Sequence, residues 1–180
     1  MNFNLYKALN EYKTQNANEA ESLSKIKDFL NSDSNCFTRT NLKGHITASA
    51  LVIDNNYNVL LNHHKFLDKW LAFGGHSDGD SNSLNVAKRE VIEESGILEF
   101  DELSGKIFDV DVHLIPENKT KGEPAHYHYD IRFLFIAKDR NFKISNESKE
   151  LKWVTIQQAK QLVNDPGIIR MLDKVDSLNK

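Results

Sequence analysis

The chain has 180 residues and a net charge of −3, from 23 basic and 26 acidic side chains with no basic tract; this argues against a nucleic-acid or membrane-surface binder. It reads as one domain, or one domain with an appendage, able to bury on the order of 70% of its unfolded surface. A single cysteine, Cys36, has no partner for an intrachain disulfide or a CxxC metal site, and no membrane-length apolar run or charged-then-apolar leader is present, so a soluble, cytoplasmic protein is expected.

Residues 1–43 are expected to form a helical segment packed on a domain made by residues 44–180. Leu5, Ala8, Leu9 and Tyr12 form a short apolar stripe, and Ala20, Leu23, Ile26, Phe29 and Leu30 a longer one, ended by the turn cluster Asn31–Asn35. A DNA-reading helix pair is the functional alternative to a helical cap. The second helix carries as many acids as bases and has no basic face, which favours the cap.

From Gly44 the pattern changes to strand, with His45, Thr47, Ser49 and Leu51 alternating with Ile46, Ala48, Ala50 and Val52. Asp54-Asn55-Asn56 makes a hairpin turn and Val59–His64 returns. Trp70–Phe73 is a short apolar strand that delivers the chain to Gly74-Gly75, where the missing side chains let backbone approach a ligand closely. His76, directly after the pair, reads either as a phosphate contact or as a loop histidine bonded to backbone.

A helix is predicted next. Leu84, Ala87 and Val91 recur at i, i+3 and i+7, with Ser81, Asn82 or Ser83 as cap and Gly96 as the C′ residue. At 100° per residue, Glu90, Glu93 and Glu94 fall in an arc of roughly 100° beside that stripe. Like charges at these spacings repel by about 0.2–0.5 kcal/mol per pair, and the last helical turn prefers Lys or Arg. A hard divalent cation reverses both terms, and Mg²⁺ needs only a few carboxylates, since waters and substrate phosphates complete its shell. The plain alternative is a solvated acidic face partly neutralised by Lys88 and Arg89.

Beyond the helix, Ile107–Leu114 and His126–Phe133 alternate strictly around a loop from Pro116 to Pro124. Asp109, Asp111 and His113 share a face of the first strand, and His126, His128, Asp130 and Arg132 a face of the second. Such polar rows suit a cross-strand ion network, a substrate-pocket wall, or a zinc site made by His113, His126 and His128. The pocket wall is favoured, because four polar side chains in a row are unusual on a strand covered on both faces. Thr155 is placed to cap a helix through Leu162, and Asp165-Pro166 to start a last one.

The stretch Gly75–Ile97 resembles the Nudix box, G-x5-E-x7-R-E-U-x-E-E-x-G-U with U aliphatic. Gly75, Arg89, Glu90, Val91, Glu93, Glu94, Gly96 and Ile97 fall on their places without a gap, and Ser81 stands where the pattern has its first glutamate. The departure leaves Arg89 without its expected partner, with Asp78 or Asp80 as replacements. The resemblance covers about residues 45–163. It implies a Nudix α/β/α sandwich with a mixed β-sheet, here with an N-terminal helical appendage, and a hydrolase cleaving the pyrophosphate of a nucleoside diphosphate linked to another moiety.

In that reading Mg²⁺, or Mn²⁺ in its place, is held by Glu90, Glu93 and Glu94 with the Gly74 carbonyl, and Arg89 orients the glutamates. A box glutamate or the loop residue Glu123 serves as general base, and Glu147 or Glu150 adds to the metal shell. His76, His126, His128, Asp130 and Arg132 are expected on the substrate side. The partner is a small nucleoside diphosphate derivative, not nucleic acid or membrane, and the protein a monomer or homodimer. Two rivals remain: a degenerate module that binds a nucleotide without cleaving it, kept open by Ser81, and an isopentenyl diphosphate isomerase. The isomerase would need a Cys-Gly-His where this chain has Gly74-Gly75-His76.

Overall fold

A computed structural model describes residues 3–119 and 122–179. In chain order the elements are α1 (Leu5–Glu11), α2 (Ala17–Ser32), β1 (Gly44–Ile53), β2 (Val59–His64), β3 (Lys69–Leu71), β4 (Phe73–His76), α3 (Ser83–Ser95), β5 (Phe100–Glu102), β6 (Asp109–Ile115), β7 (His126–Ala137), β8 (Ser148–Val154), α4 (Ile156–Leu162) and α5 (Pro166–Leu178). Each helix starts on a side chain that accepts a backbone N–H: Asn4, Asn16, Asn82, Thr155 and Asp165. Gly96 ends α3 at φ 69°, the left-handed conformation that glycine adopts without strain.

The eight strands form one mixed sheet. Its centre is the parallel pair β1–β7, in register from Gly44↔Tyr127 to Ile53↔Ile136. On the other side β1 is shared. Its Thr47–Ala50 segment pairs antiparallel with β4, and Val52–Ile53 with β2. The apolar stretch Trp70–Phe73, expected as a single strand, is therefore split: β3 pairs with β2 and β4 with β1. β6 and β5 pair with successive parts of β7, and β8 with β2.

Both faces of β1 are buried, and alternation sorts its side chains between two cores. Ile46, Ala48, Ala50 and Val52 pack with Leu5, Leu9, Ile26, Phe29 and with Val86, Ala87 and Val91 of α3. Leu51 and Ile53 pack with Leu61, Leu134 and the α4–α5 residues Ala159, Met171 and Leu172. The molecule is thus an α/β/α sandwich, with the carboxylate helix on one face and the C-terminal helices on the other. The buried face of α2 differs from the expected stripe by a slight rotation. Ala20 is exposed, whereas Glu19 is buried and accepts from Tyr12, Thr14 and Lys174.

Candidate active site

On the α4–α5 face of the sheet the registers line up polar residues across four strands. Paired residues in a sheet point to the same face. His45, His128 and His113 form one rung; His76, Thr47, Asp130 and Asp111 the next; Gly74, Ser49, Arg132 and Asp109 the third. Where α4 and α5 cover the sheet the corresponding positions are Leu51, Leu134, Ile53 and Ile136. The polar rungs floor a cavity of about 900 Å³. Its rim includes Gly74, Gly75, Glu90, Glu93, Glu94 and Glu147.

Two glycines let β4 sit there. A Cβ on Gly74 would lie 2.4 Å from the Ser49 Cβ, and one on Gly75 2.6 Å from the Glu90 carboxyl carbon. Helix α3 packs on the opposite face, and its carboxylates reach the cavity at the place where β2 leaves β1 and β4 begins. Glu94 spans that place: Asn62 Nδ2 of β2 donates to it at 2.9 Å and the Gly74 N–H at 3.5 Å. Burial raises the Glu94 pKa to about 8, opposed by the Asn62 bond and reinforced by the charges of Glu90 and Glu147. Glu90 is raised for the same first reason, against the pull of Arg89. Glu93 is more open, its side chain 62% exposed.

Arg89 is held without Asp78 or Asp80, the replacements expected from the sequence. Its Nη2 donates to the His76 carbonyl at 2.7 Å and to Glu90 at 2.8 Å. Asp78 instead forms a bidentate pair with Arg39, and Asp80 accepts the Asn82 N–H at the start of α3. Ser81 is exposed. Of the two acids near β8, Glu147 lines the cavity, while Glu150 is exposed on the strand opposite His63.

The two polar rows form an ion network, and part of them also borders the cavity. Asp109 lies wholly within an ion network with Arg170, Lys174 and Arg132, and Arg132 also donates to Asp130 and Asp111. Arg132 is 4% exposed and still borders the cavity. Its guanidinium fits under α5 because Gly167 has no side chain; a Cβ there would stand 2.2 Å from Nη1. Asp130 also accepts from Thr47 and Ser49. His76 and His128 line the cavity with Asp130, whereas His126 sits behind them, against His45 and His128.

Glu123 is not brought to the cavity. It is exposed, and its backbone pairs with Asn118 across the 116–124 loop, within which Thr120 and Lys121 lie outside the described residues. Three residues of the site escaped the sequence reading. Asn62 and Arg39 carry no local signal. His45 does, since it alternates in phase with Thr47 and Ser49.

The histidines weighed as an alternative zinc site, His113, His126 and His128, are not the three that lie closest together. His45, His76 and His128 offer ring nitrogens that all lie within 4.8 Å of one another, while His113 meets the group only through His128. Burial lowers the pKa of all three, that of His76 to about 4, with the charge of Arg39 adding to the effect there.

The sandwich thus brings a glycine pair and four of the acids around it, Glu90, Glu93, Glu94 and Glu147, to one cavity. Comparison with known proteins is specific. A family model described as NUDIX domain matches residues 43–175. The "Probable DHNTP pyrophosphohydrolase" of Lactococcus lactis subsp. cremoris is 32% identical over 147 residues, which is 81% of this chain and 85% of that protein. Among solved structures, a NUDIX-family hydrolase from Clostridium perfringens matches with TM-score 0.54 at 24% identity over 74% of this chain and 97% of its own. The NUDIX domain of Shewanella oneidensis NrtR, complexed with ADP ribose, matches with TM-score 0.54 at 13% identity, over 86% and 98%. The chain belongs to the NUDIX family. It is a hydrolase acting on pyrophosphate bonds.

Proposed function

We propose that the protein cleaves the pyrophosphate of a nucleoside diphosphate derivative, a nucleotide sugar, an ADP-ribose-like compound or a nucleoside triphosphate, with Mg²⁺ held by Glu90, Glu93 and Glu94. The observation that carries this is the charge balance of the rim. Of the acids that line the cavity, Glu90, Glu93, Glu94 and Glu147 lie together beside Gly74 and Gly75, and among the described residues Arg89 is the one cation within ion-pair distance of the helical three. The donors are all hard oxygens, which suits Mg²⁺ or Mn²⁺. The Gly74 carbonyl and Glu147 are the further ligands this reading assigns.

When bound, the cation neutralises phosphate oxygens and activates water. The chain's own residues do the rest. Gly74 and Gly75 let the diphosphate approach the backbone, and Arg89 fixes Glu90 through its bond to the His76 carbonyl. Glu93, the most open of the three helical acids, is placed to take a proton from water; Glu123 serves only if the 116–124 loop moves to the cavity. His76, His128, Asp130 and Arg132 form the substrate-side wall, with His126 supporting His128. Leu67, Leu71 and Ala72 form an apolar wall that suits the base or other ring of the substrate. Arg89 is anchored without help from residue 81, which favours a working enzyme over a degenerate binding module.

Purified protein incubated with nucleotide sugars, ADP-ribose, dinucleoside polyphosphates, nucleoside triphosphates and DHNTP, the compound named for the Lactococcus relative, tests the reading. Cleavage with Mg²⁺ or Mn²⁺ is expected for at least one compound, read as pyrophosphate from a triphosphate or as phosphate freed by a coupled phosphatase from the newly exposed phosphate esters of the others. Binding of one of them with no turnover of any would overturn it. The small net charge and, among the described residues, the lack of a helix long and apolar enough to cross a membrane accord with a small-molecule substrate and a cytoplasmic location.

A further inference from the structure

Five of the chain's seven histidines, His45, His76, His113, His126 and His128, gather at one end of the cavity floor, linked by ring contacts 4.8–5.6 Å between centroids. They come from β1, β4, β6 and β7, and the sheet registers bring them together. One detail sets the group apart from packed, hydrogen-bonded histidines. His45 is 2% exposed, and its Nε2 is buried with no hydrogen-bond partner among the described residues. Buried polar atoms are nearly always paired, so an unpaired imidazole nitrogen facing other imidazoles calls for a partner that the polypeptide does not supply.

Three of the five rings have Nδ1 beside an acceptor, as metal-bound histidines commonly do. His45 Nδ1 lies 3.5 Å from the Asn41 carbonyl, His126 Nδ1 2.8 Å from the Pro124 carbonyl, and His113 Nδ1 3.0 Å from Asp111. A carbonyl or carboxylate that accepts a hydrogen bond from Nδ1–H fixes the tautomer whose lone pair is on Nε2. His126 Nε2 and His128 Nε2 stand 3.3 Å apart, close to the separation of two ligands on a tetrahedral ion with bonds of about 2.0–2.1 Å. The positive charge nearest the cluster, Arg39, is already engaged by Asp78 through two bonds of 2.7 Å.

We propose that His45, His76 and His128 form a second metal site, for a borderline-soft transition ion such as Zn²⁺, separate in chemistry from the all-oxygen carboxylate site of the NUDIX helix. Three neutral imidazoles select Zn²⁺ over Mg²⁺, while the carboxylates favour the harder ion. Three protein ligands leave a fourth position open towards the cavity that His76 and His128 line. A bound ion there contacts an anionic group of the substrate in that cavity. His126, adjoining His45 and His128, is the fourth ligand if the site closes instead.

The test uses the full chain and the metal alone. Zn²⁺ is titrated calorimetrically in excess Mg²⁺, which occupies the carboxylates, into wild type, His45→Ala and His76→Ala, with circular dichroism to check folding. A single equivalent is expected to bind wild type, with affinity falling roughly 100-fold or more in each folded variant. Zn X-ray absorption of the wild-type complex, expected to show imidazole scattering, decides the matter should either variant fail to fold. No Zn²⁺ binding in Mg²⁺, a bound ion with oxygen ligands only, or folded variants that keep wild-type affinity would each overturn the proposal. Because none of these readouts requires turnover, they are independent of the hydrolase substrate.

Discussion

Two groups of charge, one within the sheet's polar floor and one at the cavity rim, are balanced differently. In one, Glu19, Asp109, Asp111 and Asp130 meet Arg132, Arg170 and Lys174. The pairs are made within the chain: Arg170 donates to both Asp109 oxygens at 2.6 and 2.8 Å, and Lys174 bridges Asp109 and Glu19. In the other, Glu90, Glu93, Glu94 and Glu147 have Arg89. Asp111 and Glu19 are held low by their partners despite burial, burial raises Asp109 against the pull of Arg170, Arg132 and Lys174, and burial raises Glu94 to about 8. The first group joins α2 to β6 and α5 and supports structure. The second has a deficit of positive charge, which the proposed cation would fill.

The largest effect expected from breaking this contrast is on turnover. Glu94→Gln or Glu90→Gln should lower kcat/KM by roughly 10²–10⁴-fold, the several kcal/mol that a bound cation contributes. Glu94→Gln should leave the metal-free protein at least as resistant to urea as wild type, since it removes a carboxylate that burial disfavours in its charged form. Wild-type rates would mean that these acids are only a solvated face.

The ion network should behave in the opposite way. Lys174→Met leaves Glu19 and Asp109 without a shared cation and should cost about 3–5 kcal/mol of stability, read from the urea midpoint. Stability within about 1 kcal/mol of wild type would show that the network is not integral to the fold. Smallest of all is Asp78→Asn. It breaks the exposed Arg39 pair and should cost about 0–1 kcal/mol.

Which parts of this contrast were legible in the sequence follows from distance along the chain. The carboxylate site lies mostly in one helix, where 3.6-residue periodicity fixes which acids are neighbours, and so Glu90, Glu93 and Glu94 were found together. Caps and turns were also local: Asp165-Pro166 starts α5 and Gly96 ends α3 as expected. The face shared by Asp109, Asp111 and His113 came from alternation alone. What alternation could not say is which strands pair.

The parallel β1–β7 register joins residues more than 80 positions apart, so the meeting of His45 with His128 was invisible, as was the share of His76 in it. Glu19 and Lys174 are more remote still. Helical spacing marked Ala20 for the core because nothing in the sequence revealed the buried partner that lets Glu19 take that side. The three-residue β5 is too short to carry a period.

The contrast is tested most directly by thermal unfolding of wild type and Glu94→Gln with and without Mg²⁺. For wild type, Mg²⁺ at about 100 times its Kd should add about 2.7 kcal/mol of stability. At that same Mg²⁺ concentration the gain should largely disappear in Glu94→Gln. A wild type indifferent to Mg²⁺, or a variant that keeps the whole gain, would contradict the conclusion that these carboxylates await a cation.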